Sequence, residues 1–304
     1  MSSPHFVVMS GDLRTDAKRI QALGLKSADQ IRKRRRLMIG SDGLTNTGKT
    51  EFGLSAPGLK ALLPLDTSYD SILDNPNPPA SRDLDNTLFG EIKIPMQGTV
   101  RQVDYVSYFV NYRTKLYELL DTPEITTIII DGDSDSWELQ VLAEFGRTSQ
   151  IHPMQYPMVD AARRAMIKKC WESGKIIIAT NKIKGKYEDV IGVDGLPMKD
   201  DKGKAVQRKV EGEYKRQGFR DQDYLWQLQI RHLFRKGEDR VVERGPLKGK
   251  VISKGKPEWG LRILKCKANP MLEGDELWGA DCCFRGLVEH VYPNVDPTDW
   301  GFDR

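Results

Sequence analysis

Long apolar runs are missing from this chain, and cysteine and histidine are scarce. No stretch approaches the roughly 20 apolar residues that a bilayer-spanning helix needs, so no membrane partner is expected. The four cysteines, Cys170, Cys266, Cys282 and Cys283, contain no CxxC spacing. Neither a zinc site nor a disulfide framework is indicated, and a cytoplasmic protein with reduced thiols is the expectation. Met1-Ser2-Ser3-Pro4-His5-Phe6 lacks the basic and apolar blocks of a secretory leader. With 39% hydrophobic and 30% charged residues, the 304-residue chain reads as globular, long enough for one large or two ordinary domains. A net charge of +4 says little until its distribution is known.

What is present centres on Gly43-Leu44-Thr45-Asn46-Thr47-Gly48-Lys49-Thr50. Two glycines separated by four residues and followed by Lys-Thr have the form of a P-loop. Glycine opens backbone conformations that let successive N–H groups turn inward around phosphate oxygens. All eight residues are candidate ATP contacts. Lys49 is expected to reach the β- and γ-phosphates, and the Thr50 hydroxyl to hold Mg²⁺. Arg36-Leu37-Met38-Ile39-Gly40 before the loop reads as a strand. Glu51-Phe52-Gly53-Leu54-Ser55-Ala56 after it reads as a helix that Pro57-Gly58 ends. Strand, glycine loop and helix is the context the motif requires, and it argues against a plain glycine-rich surface loop.

Residues 1–35 read as a helical, basic appendage whose end, Arg32-Lys33-Arg34-Arg35-Arg36, suits a phosphate backbone, an acidic partner or simply a solvated helix end. Leu59 to Thr67 is a short apolar run that ends near Asp66. Ligands gather at the ends of parallel strands, which makes Asp66 a site candidate. Residues 70–100 read as loop with a short strand at 91–94, and residues 105–120 as an amphipathic helix. Ile125-Thr126-Thr127-Ile128-Ile129-Ile130-Asp131 is a β-branched run ending in Asp, about 80 residues after the P-loop. That is the Walker B pattern, with Asp131 placed near Mg²⁺ beside Thr50. Helices are expected over 137–145 and 159–173. Lys175-Ile176-Ile177-Ile178-Ala179-Thr180-Asn181 follows as another buried strand, and Thr180 or Asn181 at its end is a candidate γ-phosphate sensor.

Charge concentrates in residues 182–220, with eleven basic against seven acidic groups. Lys182, Lys184, Lys186, Lys202, Lys204, Arg208 and Lys209 are candidate nucleic-acid contacts. A solvated β-hairpin insertion is the competing reading. Short strands follow at 224–234, 241–244 and 261–267. Lys265 and Lys267, two apart on a strand, are expected to point the same way, either at an anion or as guards of a strand edge.

The strand ends discriminate among nucleotide-binding classes. Asp131-Gly132-Asp133-Ser134 lacks the Gly of D-x-x-G, and Asn181-Lys182-Ile183-Lys184 lacks the Asp that would read guanine, so GTP is disfavoured. With Phe52-Gly53-Leu54-Ser55-Ala56-Pro57-Gly58, Leu63-Pro64-Leu65-Asp66-Thr67, Asp221-Gln222-Asp223-Tyr224-Leu225-Trp226 and residues 259–269, the chain resembles phage-encoded, core-only RecA-like ATPases of the single-strand annealing type. The resemblance covers roughly residues 37–290. It implies an α/β RecA-like P-loop core over 36–304, with a mainly parallel sheet flanked by helices and antiparallel strands toward the C-terminus. It further implies ATP and Mg²⁺, single-stranded DNA, a ring or filament of copies with ATP between subunits, and a single-strand DNA-binding protein as partner. The catalytic set so implied is Lys49, Asp66, Asn181, Lys265 and Lys267, the last two reaching a neighbour's γ-phosphate. One departure is plain: such ATPases carry a catalytic Glu after the second strand, where this chain has Asp66-Thr67-Ser68-Tyr69-Asp70. Asp66, Glu51 or Glu91 are the substitutes, or hydrolysis is slow. The competing functions are an NTP-dependent assembly protein with a protein partner and a small-molecule phosphotransferase.

Overall fold

Three buried runs form the centre of a sheet because the apolar residues of each serve both faces, as a strand covered by helices on two sides must. They are β1 (Leu37–Gly43), β6 (Thr127–Asp131) and the first half of β7 (Ile176–Asp189). The computed structural model describes residues 36–65, 72–74, 79–97, 102–191, 196–199, 204–237, 240–241, 251–253 and 256–302. These fall in one unit, Arg36–Arg304. The expected appendage over residues 1–35, together with Asp66 and Lys202, lies outside the described residues.

The remaining strands are β2 (Lys60–Pro64), β3 (Thr87–Phe89), β4 (Met96–Gln97), β5 (Gln102–Val103), β8 (Gln207–Arg216), β9 (Leu228–Lys236), β10 (Arg240–Val241), β11 (Val251–Ser253), β12 (Pro257–Cys266) and β13 (Glu276–Trp278). The helices are α1 (Lys49–Leu54), α2 (Tyr105–Asp121), α3 (Asp133–Phe145), α4 (Tyr156–Glu172), α5 (Gln222–Leu225) and α6 (Phe284–Val291). The main sheet runs β13-β12-β9-β1-β7-β6-β2-β3, with β8 paired to β7. From β9 to β3 every pairing is parallel; β12 against β9 and β13 against β12 are antiparallel. This is the expected α/β architecture, a mainly parallel sheet flanked by helices with antiparallel strands toward the C-terminus, and β7 lies between β1 and β6.

Alternate residues of the central strands feed two cores. Met38, Ile128, Ile130, Ile177 and Ala179 pack on one face against Tyr112, Leu116 and Leu120 of α2 and Met166 and Cys170 of α4. Leu37, Ile39, Ile176 and Ile178 pack on the other against Phe52 of α1 and Phe284, Leu287 and Val288 of α6. Tyr112, Leu116 and Leu120 recur at four-residue spacing, one stripe of a helix. Asp104 starts that helix by accepting a hydrogen bond from the Ser107 N–H at 3.0 Å.

Several expectations need correcting. Residues 91–94 form no strand; the edge strand lies earlier, at β3, whose parallel ladder with β2 runs out at the Gly90 N–H, which donates to the Leu62 carbonyl at 2.8 Å. The strand expected from 224 begins at Leu228, since residues 222–225 first turn as α5. Of the strand expected over 241–244, Val241 lies in β10 and residues 242–244 lie outside the described residues. The strand expected to stop at Asn181 continues to Asp189, and β8 returns beside it as an antiparallel arm.

Candidate nucleotide-binding site

β1 delivers the chain to the P-loop at the carboxyl edge of the parallel strands. Beyond Gly43 the loop turns through Asn46 (φ 61°) and Gly48 (φ 89°), left-handed conformations that Asn tolerates and Gly adopts freely. A Cβ on Gly43 would collide with Thr47 Oγ1, which donates to the Leu44 carbonyl at 2.8 Å. The glycine therefore lets the loop close on itself. Lys49 Nζ folds back over the loop and donates to the carbonyls of Gly43 (3.1 Å) and Leu44 (2.7 Å).

At the start of α1, three side chains from three elements converge. Thr50 Oγ1 donates toward Asp131, 3.2 Å from Oδ1 and 3.0 Å from Oδ2. Thr180 Oγ1 donates to Asp131 Oδ1 at 2.7 Å and accepts the Gly132 N–H at 2.8 Å. Asp131 and Thr180 are both buried. A hydroxyl and a carboxylate make an all-oxygen donor set, which suits Mg²⁺. Among the described residues no group of three His, Cys, Asp or Glu side chains is arranged to hold a metal by itself. That also fits Mg²⁺, which takes one or two protein ligands and completes its shell with phosphate and water. Thr50 and Asp131 are the residues that would hold the ion, and its chemistry would be to neutralise charge on β- and γ-phosphate oxygens. Asn181 lines the same cavity; its Nδ2 donates to the Ala179 carbonyl at 3.2 Å, and its buried Oδ1 has no partner.

The cavity measures about 880 Å³ and contains residues 45–52 together with Asp131, Gly132, Thr180 and Asn181. Among the described residues its acidic lining groups are Glu51, Asp131 and Glu258, and each is engaged. Glu51 makes a two-pronged pair with Arg82, whose Nε donates to Oε2 at 2.7 Å and whose Nη2 bonds Oε1. Glu258 pairs with Arg235. Glu51 as a substitute base is thus tied to a buried guanidinium, and Glu91 does not line the cavity. Asp133, just past Asp131, is likewise committed, bound by Arg163 and Gln222 in a buried cluster.

Beneath the loop lie groups that sequence reasoning missed. His232 of β9 is buried with Nε2 2.9 Å from Ser41 Oγ. Burial, helped by the nearby Lys49 charge, pushes its pKa down to about 3, so the imidazole is neutral at physiological pH. Asp42, adjacent to the P-loop, is buried and receives Arg216 Nε at 2.7 Å, with Arg231 at 3.8 Å. Burial raises the Asp42 pKa, opposed by the two guanidiniums. Arg216 also bonds Asp223 (2.6 Å) and Gln229 (3.0 Å). Asp42 and Arg216 stand 174 residues apart, so no local pattern could have paired them.

The candidate DNA-contacting residues divide. Lys182 lines the cavity and pairs with Asp135 at 2.7 Å, while Lys186 pairs with Glu188 (3.0 Å) and Glu213 (2.8 Å). Lys184 stands directly across the arm from Lys215, and among the described residues neither makes an ion pair. On the other face Tyr187, 56% exposed, stands opposite Lys209. Lys209 crosses Gly185 so closely that a Cβ there would lie 2.7 Å from its Cε. Arg208 lies opposite Glu188, and Lys204 is exposed just before β8.

Lys265 and Lys267 do point the same way: their ammonium groups donate to the carbonyls of Asp223 (2.8 Å) and Tyr224 (2.5 Å). Because β12 runs antiparallel to β9, its C-terminal end lies at the sheet edge opposite the P-loop. Neither lysine lines the cavity at the P-loop.

No family model matches the chain, and no curated protein matches it in sequence. Among solved structures, it is similar to the KaiC-like protein of the hyperthermophilic archaeon Pyrococcus horikoshii, at 10% identity over 80% of this chain and 86% of that one, with a TM-score of 0.41. Similarity this slight says nothing of a substrate.

Proposed function

We propose that this chain is a RecA-like protein of the phage-encoded type that binds ATP with Mg²⁺, assembles with further copies of itself, and binds single-stranded DNA to promote annealing or recombination. The observation that carries this reading is the convergence of Thr50, Thr180 and Asp131 at the P-loop, with Thr180 on a strand that runs on into a cationic arm. Lys49 meets the β- and γ-phosphates, Thr50 and Asp131 hold the metal, and Asn181 lies in reach of the terminal phosphate. The arm supplies what a single strand needs: cations for the backbone at Lys184, Lys215, Arg208 and Lys209, and an exposed ring at Tyr187 for stacking. Lys265 and Lys267, at the far edge, meet a nucleotide only if it belongs to a second copy, which supports assembly with ATP between subunits. The engaged state of Glu51 and Glu258 supports slow turnover, with ATP acting chiefly in assembly.

The test is oligonucleotide binding and sedimentation, each with and without ATP, over a salt series. Binding that weakens steeply with salt, and larger particles with ATP, are expected. Salt-insensitive or absent DNA binding by a chain that still assembles with ATP would transfer the reading to a protein partner.

A further inference from the structure

The cavity extends well past the phosphate cradle. In the sheet order, Asp131 on β6 lies two strands to one side of β1, and Trp259 on β12 two strands to the other. At roughly 4.8 Å per strand, each stands about 10 Å from the P-loop strand, in opposite directions. Phosphates and metal belong on the Asp131 side, so the nucleoside of a bound triphosphate extends toward β12.

The lining there changes chemistry to match. Pro257, Trp259, Gly279, Ala280 and Cys282 replace the hydroxyls and carboxylate of the other end. Burial pushes the Cys282 thiol up to about 12, so it stays neutral, and the one carboxylate, Glu258, is paired with Arg235. Trp259 is 43% exposed although it lines a cavity, which leaves much of its indole uncovered. Its position is fixed from two sides. Phe234, its register partner on β9, meets it edge-on with ring centroids 5.8 Å apart. Its Cδ1 lies 3.6 Å from where a Cβ on Gly48 would stand. An indole held against the phosphate loop, at the uncharged end of the cavity, is suited to a flat π-system joined to phosphates.

We infer that Trp259 is the platform on which the nucleobase of the bound nucleotide stacks. This rests on the nucleotide-binding reading above, and the experiment separates the two. Calorimetry on the full chain with Mg²⁺ compares ATP with inorganic tripolyphosphate, which has the phosphates and no base. Trp259→Ala is expected to weaken ATP by about tenfold or more, the usual worth of a base–aromatic stack, and to leave tripolyphosphate unchanged. Trp259→Phe, which keeps a ring, should return ATP affinity to within about threefold of the parent. Unchanged ATP affinity in Trp259→Ala overturns the inference and leaves the nucleotide reading standing. Equal loss of ATP and tripolyphosphate also overturns it, since the indole would then only shape the loop. A parent chain that binds neither ligand brings down both readings.

Discussion

The two halves of β7 are one strand in two environments. Residues 176–181 are buried throughout, whereas none of residues 182–189 is. The first half lies between β1 and β6 and presents Thr180 to Asp131; the second has β8 as its neighbour. In the buried half, an unpaired polar group costs on the order of 1–3 kcal/mol; Thr180 is satisfied on both sides, and the Oδ1 of Asn181, a residue that lines the cavity, is left without a partner. In the exposed half, solvent tolerates Lys184 directly across from Lys215, a like-charge pair that mildly destabilises a two-stranded ladder. The arm is anchored where the halves meet, by Arg216 on Asp42 and by Ser134 Oγ, which donates to the Gln217 carbonyl and accepts the Lys182 N–H at 3.0 Å each. Geometry is set at the buried end, and charge is displayed at the other.

If that division is right, the two ends should be separable by mutation. The largest effect is expected from Lys49→Ala, which removes charge-assisted hydrogen bonds to phosphate and should weaken ATP by about 100-fold or more in a calorimetric titration. Oligonucleotide binding without nucleotide should stay at the parent level; a parallel loss would mean that the arm depends on the loop. Next is the pH response of the buried end. His232 has a folded pKa of about 3 against 6.5 for the ordinary group. The unfolded chain therefore takes up a proton that the folded chain refuses. Its stabilising contribution is present above pH 6.5 and is lost as pH falls toward 3. Between pH 7 and pH 5 that amounts to about 2 kcal/mol, readable by urea denaturation and absent from the slope of His232→Gln. An unchanged slope in the variant would place the acid sensitivity elsewhere. The smallest effect belongs to the arm. Lys184→Gln with Lys215→Gln should lower single-stranded DNA affinity by about tenfold at low salt and flatten the salt slope by about 1.4. ATP affinity should be unmoved and folding stability level or slightly raised, since the like-charge pair is removed, and a drop in either would join what the comparison separates.

The sequence made the phosphate end legible because its signals are local. A P-loop depends on glycines and a Lys-Thr at fixed spacing, and the Walker B and sensor strands show as β-branched runs with a polar residue at the end. Helices α2, α3 and α4 followed from apolar spacing to within a few residues. The polar end of that strand was only half legible: Thr180 and Asn181 were interchangeable on paper, and the fold turns Thr180 to Asp131 while both line the cavity. The Arg82 lock on Glu51, the imidazole under the loop and the Arg216–Asp42 pair left no trace, since each joins residues that are neighbours only after the sheet forms. Trp259 stood in a strand with nothing to mark it, because its meaning comes from β12 running antiparallel and bringing its first residues to the P-loop edge.

By itself, then, the sequence determined that a glycine-rich loop of P-loop form sits on a parallel core, and that positive charge follows the third buried strand. Periodicity and backbone chemistry suffice for both. Only the tertiary structure decided that Lys265 and Lys267 lie at the far edge, that the basic segment runs out as an arm, and that an indole lines the cavity. Those facts depend on strand order and direction, which long-range packing sets and no short stretch of residues encodes.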